Sequence, residues 1–228
     1  MILKGWNLFE KTILFGGILL IYLIGFVFHA NLLSIFCSML CVVTVLFLAK
    51  GNNLGNVLGI LGSVLYIIVS YNNKYYGEIL IYVFLMIPMY AIGVYTWLNH
   101  KNKDTNSVEI NMISKKEWTL AFLAFVVAFV GIYSLLKIFA TSTLYLSTIS
   151  VLLNLFAVYL QVRRSRFCFC FYLVNDVVLF FLWIIPVING NYTSIPMILN
   201  PIINFISDCY GFYNWRKIEL IQKSKLNT

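Results

Sequence analysis

From its N-terminus the chain alternates long apolar runs with short polar gaps. Eight runs stand out, at residues 9–28, 31–49, 54–71, 79–98, 118–137, 144–162, 167–188 and 195–215. Each is about 18–22 residues, enough for a helix to cross a hydrocarbon core of about 30 Å. A transmembrane barrel would show alternating segments of about ten residues instead. The pattern predicts an all-α polytopic membrane protein of eight spans. Lys4 and Lys11 give the first run the look of a signal peptide, but no small-residue cleavage site follows it, and it reads as a retained helix.

The polar punctuation repeats. Gly93-Val-Tyr-Thr-Trp97 closes the fourth run, and Gly211-Phe-Tyr-Asn-Trp215 closes the eighth, 118 residues later. A polar turn with Gly and Tyr precedes each, Asn73-Lys-Tyr-Tyr-Gly77 and Asn189-Gly-Asn-Tyr192, and further back stands a basic stop, Lys50 or Arg163-Arg164. Spans two to four therefore echo spans six to eight. The first members of the two triplets are four helices apart, so both start from one side of the membrane, as in a parallel repeat about an axis along the membrane normal. The expected plan is 1+3+1+3. It comprises an extra N-terminal helix (1–29), a first three-helix bundle (30–100) and a polar linker with a connector helix (101–141). A second three-helix bundle (142–217) and a tail (218–228) complete it. Internal repeats of this kind are typical of transporters, with substrate bound near the midplane between the halves.

Composition agrees and adds an orientation. The chain is 61% hydrophobic and 11% charged, against about 25% charged residues in soluble domains. Its net charge of +8 does not point to nucleic acid, because the basic residues sit in the gaps between runs. Of 16 lysines and arginines, all but Lys74 and Lys137 fall on one side. That asymmetry predicts cytoplasmic termini and a cytoplasmic linker in a multi-pass protein of the cell membrane. The five cysteines lie within spans and read as packing residues; Cys168-Phe-Cys170 lacks metal-site spacing. No metal or cofactor is expected, and neither a P-loop nor an ion-coupling pair is evident. His29 and His100 sit at span ends, so an intramembrane enzyme lacks a nucleophile–base pair.

Candidate chemistry concentrates in the last run. Asn200, Asn204, Ser207 and Asp208 follow i, i+4, i+7, i+8 and share one helix face. Shifted back by 118 residues, they fall on Tyr82, Met86, Met89 and Tyr90. The two helices would line one cavity, polar on one wall and aromatic on the other, suited to a flat ring with hydroxylated substituents. The seventh run adds Tyr172, Asp176, Leu179 and Trp183 on one face. A carboxylate at mid-bilayer depth costs at least about 2.5–3.5 kcal/mol. Asp176 and Asp208, which share that depth with no lysine or arginine, are therefore protonated or hydrogen-bonded, or else face water and a cation. Asn154 and Asn175 are explained as well by hydrogen bonds between packed helices. Trp97 and Trp215, at helix ends, read as interfacial anchors. Trp183 serves equally as anchor or ligand.

Several of these residues together resemble the PnuC family of vitamin transporters, best known for nicotinamide riboside uptake. The likeness rests on Tyr75-Tyr-Gly-Glu78, Ile87-Pro-Met89 and Gly93-Val-Tyr-Thr-Trp97 in the first half. In the second half it rests on Arg163-Arg164, Phe169-Cys-Phe-Tyr172-Leu-Val-Asn-Asp176, Asn189-Gly-Asn-Tyr192 and Tyr210-Gly-Phe-Tyr-Asn-Trp215-Arg216-Lys217. The resemblance implies a SWEET-like fold and facilitated diffusion of a nucleoside-like vitamin for NAD biosynthesis. It also implies trapping by a cytoplasmic kinase, and a homotrimer. The family usually has tryptophans at Phe169 and Tyr172, and amides near Tyr82 and Tyr90. Relatives of this architecture also carry thiamine, riboflavin or deoxynucleosides. The expected substrate-binding set is Asn200, Asn204, Asp208, Ser207, Asp176, Tyr172, Trp183, Tyr82, Tyr90 and Met86.

Overall fold

The computed structural model describes residues 5–101, 107–141 and 143–226; Lys4 and Lys103 of the basic set lie outside them. Apart from one antiparallel bridge between Lys101 and Val108, the regular structure among the described residues is helical. Helices α1 (Leu8–Val27), α2 (Leu32–Ala49) and α3 (Leu54–Asn72) come first. Helix α4 runs as Tyr76–Ile81, a π-helical stretch Tyr82–Met86, and Ile87–Asn99. Helices α5 (Lys115–Ile138), α6 (Leu144–Val162), α7 (Cys168–Ile188) and α8 (Ile195–Leu226) follow. All except α8 are long and apolar enough to cross a membrane. The polar face of α8, with Asn200, Asn204, Ser207 and Asp208, keeps it out of that set.

Local chemistry sets the starts. Asn7 and Glu10 form a reciprocal capping box on α1, at 2.8 and 2.7 Å. Ser114 accepts from the Glu117 amide at 3.2 Å, so α5 begins three residues before the apolar run at 118–137. At the other end of the chain α8 does not stop at Trp215. It continues through most of the expected tail, where Glu219 pairs with Arg166 at 3.1 Å and with Lys223 at 2.8 Å.

Helix contacts close a ring of six: α2 on α3, α3 on α4, α4 on α6, α6 on α7, α7 on α8, and α8 back on α2. Helix α1 lies outside the ring against α2 and α8, and α5 lies outside it against α6 and α4. Phe15 and Leu19 of α1, and Phe122, Val127 and Val130 of α5, point away from the protein. That outward apolar surface is what lipid requires of peripheral helices.

The end at which α1 begins and α2, α4 and α6 finish is closed by matched contacts. The Trp97 indole donates to the Gln161 carbonyl, and the Trp215 indole donates to the Leu48 carbonyl, each at 3.0 Å. Their rings lie 5.5 Å apart. With exposures of 1% and 0%, these tryptophans are buried joints between the two halves of the ring. The expectation of interfacial anchors is corrected, because the ring brings their helix ends to its centre. A second matched pair ties down the outer helices. Glu10 on α1 holds Lys50, just past α2, at 2.8 Å, and Glu117 on α5 holds Arg163, just past α6, at 2.6 Å.

Candidate functional site

A small cavity lies inside the ring. Its free volume is about 100 Å³, and every ring helix contributes to it. Helix α8 supplies Asn200, Asn204 and Asp208, and α7 supplies Tyr172, Asn175, Asp176 and Leu179. Helix α4 gives Tyr82 and Tyr90, and α6 gives Asn154. Across from these stand Gly59, Gly62, Ser63 and Tyr66 of α3, with Cys41, Thr44 and Val45 of α2. A polar α8 wall thus meets a largely aromatic α4 wall.

The π-helical stretch explains which α4 residues reach the cavity. Tyr82 and Tyr90 are eight positions apart, which in a regular α-helix leaves them roughly 80° out of line. The Ile87 amide bonds to the Tyr82 carbonyl, five residues back, and this wide turn absorbs one extra residue. Both tyrosines then face inward. Met86 instead packs among Ile132, Leu136, Val151 and Leu152. Pro88, which has no N–H to donate, lies just beyond the wide turn.

Polar contacts at the site are specific and incomplete. The Asn204 amide donates to Asn200 Oδ1 at 3.0 Å, and Asn154 donates to the Tyr82 hydroxyl at 2.9 Å. Tyr82 stacks on Tyr66 with centroids 4.5 Å apart. The Tyr172 hydroxyl donates to Gln161 Oε1 at 2.6 Å, and Gln161 donates to Asn56 Oδ1 at 2.7 Å. Asn56 donates in turn to Asn53 at 2.9 Å, so a buried polar chain runs from the cavity floor across both halves. The carboxyls of Asp176 and Asp208 are direct neighbours. Yet Asn175 Oδ1, Asp176 Oδ2, Asn204 Oδ1 and Asp208 Oδ1 are buried without a hydrogen-bond partner. Buried polar atoms in native proteins are nearly always satisfied, so four acceptors left open around one void mark a place for donors or positive charge.

Closure continues on the opposite side of the cavity. Trp183 packs edge-on to Tyr66 and Tyr75, at 5.8 and 5.5 Å. Tyr75 donates to the Leu182 carbonyl at 3.3 Å. Beyond them Asn191 donates to Asn73 at 2.9 Å. Packed aromatic rings therefore lie across both ends of the cavity.

Of the ten residues expected from the sequence, seven converge here: Asn200, Asn204, Asp208, Asp176, Tyr172, Tyr82 and Tyr90. Three lie off the cavity lining. Met86 is turned away by the wide turn, Ser207 donates back to the Ile203 carbonyl at 3.1 Å, and Trp183 belongs to the closing aromatic layer. Tyr66, Cys41 and Thr44 were not foreseen. Tyr66 continues the face of Gly59, Gly62 and Ser63 at helical spacing, which is the signal that would have found it.

Comparison with known proteins places this geometry. The family model for the nicotinamide mononucleotide transporter matches residues 31–217. A nicotinamide riboside transporter PnuC from Neisseria mucosa is 25% identical over 221 residues, covering 94% of this chain and 83% of the relative. The crystal structure of the vitamin B3 transporter PnuC superposes with a TM-score of 0.82 at 23% identity, covering 94% of this chain and 93% of that one. This likeness is one of fold. The family match covers the whole helical ring, and the chain belongs to the nicotinamide mononucleotide transporter family, the PnuC transporters.

Proposed function

We propose that the protein is a facilitative transporter that imports nicotinamide riboside, which a cytoplasmic kinase then traps by phosphorylation. The observation that carries this reading is the cavity inside the ring with four unpartnered acceptors, two of them carboxyl oxygens. Nicotinamide riboside offers a flat pyridinium cation and a ribose with several hydroxyl donors. Tyr82 and Tyr90 would hold the ring by stacking and cation–π attraction, Asp208 and Asp176 would supply counter-charge, and Asn200 and Asn204 would take ribose hydroxyls.

The free volume, about 100 Å³, is below the ~300 Å³ at which ligand pockets begin. Binding must therefore widen the ring. The Trp97–Trp215 joint and the Tyr75–Trp183 layer are its two closures, and rocking of one half against the other would open them alternately. Eight spans with both termini in the cytoplasm of a plasma-membrane protein fit the charge asymmetry. The packing supports a repeat in which α1 corresponds to α5, since each lies outside the first ring helix of its half and pins that helix's end through a glutamate. Association as a homotrimer remains part of this proposal.

The test is uptake of labelled nicotinamide riboside into proteoliposomes. Saturable uptake supports transport, whereas binding without flux would make the protein a sensor. Thiamine is also cationic and is the second reading that the carboxyl pair favours; competition with thiamine, riboflavin and deoxynucleosides separates these cargoes.

A further inference from the structure

Four consecutive backbone N–H groups of the linker, at residues 108–111, reach the ends of four different helices. Val108 donates to the Gly51 carbonyl at 2.9 Å and Glu109 to the His100 carbonyl at 3.0 Å, just past α2 and α4. Ile110 donates to Gln222 Oε1 on α8 at 3.1 Å, and Asn111 to the Arg164 carbonyl, just past α6, at 2.9 Å. The first two partners belong to one half of the ring and the last two to the other. Val108 is 2% exposed. Together with Ile110 it packs into the apolar cluster that contains Trp97 and Trp215, while Glu109 between them is exposed. A Cβ on Gly51 would lie 3.4 Å from Ser107 Cβ, so the linker and the end of α2 are in van der Waals contact.

A segment bonded to both halves resists their separation, because each backbone donor that loses its acceptor must find another partner. We propose that residues 108–111 are a strap that holds this end of the ring shut over the Trp97–Trp215 joint, and that it releases the first half each time the end opens. This rests on the reading of the protein as a transporter that rocks one half against the other. The strap stays with the second half. From Asn111 the chain leads directly into the Ser114 cap of α5, and Glu117 on α5 accepts from Arg163 and Tyr159 at 2.6 and 3.0 Å. Arg164 holds the strap twice, through its carbonyl to the Asn111 amide and through Nη1 to the Glu109 carbonyl at 3.4 Å. The bonds that break are those of Val108 with Gly51 and of Glu109 with His100, and the Val108 side chain leaves the cluster with them. The linker is thereby a part of the gate as well as a connection between the bundles.

Cysteines at Gly51 and Ser107 would fasten the strap to the first half, since the 3.4 Å between their Cβ positions is close to the about 3.5–4.5 Å of a disulfide. The variant Gly51→Cys/Ser107→Cys is reconstituted in proteoliposomes, oxidised with copper phenanthroline, and compared with the same protein reduced. Oxidation should lower nicotinamide riboside uptake at least tenfold and leave binding to the purified protein within twofold, because the cavity is still reached from the other side. Reduction should restore uptake. Val108→Ala is the converse variant. The native Cys168 is fully buried in the same cluster. Its labelling by a polar maleimide, read by peptide mass well below the melting temperature of either protein, should be several-fold faster in Val108→Ala than in wild type. Complete cross-linking with unchanged uptake, or labelling no faster in Val108→Ala, overturns the strap and leaves the cargo reading standing. Cross-linking that also abolishes binding overturns it too, since that marks a damaged cavity and not a held gate. No uptake by the wild type overturns the transport reading and the strap with it.

Discussion

Trp97 and Trp215 meet ring to ring at 5.5 Å, and each donates its indole proton to a backbone carbonyl on the other half of the ring. Each belongs to the last helix of its half, so the pair forms a two-way joint. Replacing either tryptophan with Phe removes one donor and keeps most of the packing, while the Leu48 and Gln161 carbonyls keep the Gly51 and Arg164 amides. Such a loss costs about 0.5–1.5 kcal/mol. The melting temperature should fall by a few degrees for each. A cysteine placed beside the joint should react faster with a polar thiol reagent in the empty protein, which checks that the joint opens rather than merely loosens.

The two glutamate pins should differ in weight. Glu10 is 1% exposed and also accepts from the Tyr210 hydroxyl, so it links α1, Lys50 and α8. Glu117 and Arg163 form their pair in a more open setting, with side-chain exposures of 23% and 43%. Glu10→Gln should lower stability by about 2–3 kcal/mol. Glu117→Gln should stay within about 1 kcal/mol. Thermal melting of both variants in one detergent checks the ranking.

Two glycines of α3 separate space for cargo from space for packing. A Cβ on Gly59 would meet the Tyr90 ring at 2.6 Å, whereas one on Gly62 meets nothing within 4 Å. Gly62 faces the void. Gly62→Ala should keep normal melting and weaken substrate binding several-fold, by filling the cavity. Gly59→Ala should lower stability by about 1–3 kcal/mol through overpacking. Melting and binding measured together distinguish the two.

Much of this was legible in the chain. The apolar runs and their short gaps predict the helices, and the spacing of Asn200, Asn204 and Asp208 places the polar wall, because i, i+4, i+8 periodicity survives in α8 despite Pro201. The α4 wall was only half legible. A shift of 118 residues finds Tyr82 and Tyr90, but it also brings in Met86, because a π-helical turn is a slip of main-chain hydrogen bonds with no side-chain pattern of its own. Trp97 and Trp215 look like interfacial anchors in one dimension. Only ring closure shows that their helix ends converge on the centre. The chain Tyr172–Gln161–Asn56 was unreadable for a similar reason: Gln161 stands 105 residues from Asn56, beside the arginines of a helix end.

The central claim is that cargo sits in this cavity between the α4 tyrosine and the α8 carboxyl. Affinity for nicotinamide riboside, measured on purified wild type, Tyr82→Leu and Asp208→Asn under one condition, tests it most directly. The account predicts at least a tenfold loss in each variant, with melting close to wild type. Unchanged affinity in both variants, with normal melting, would contradict it.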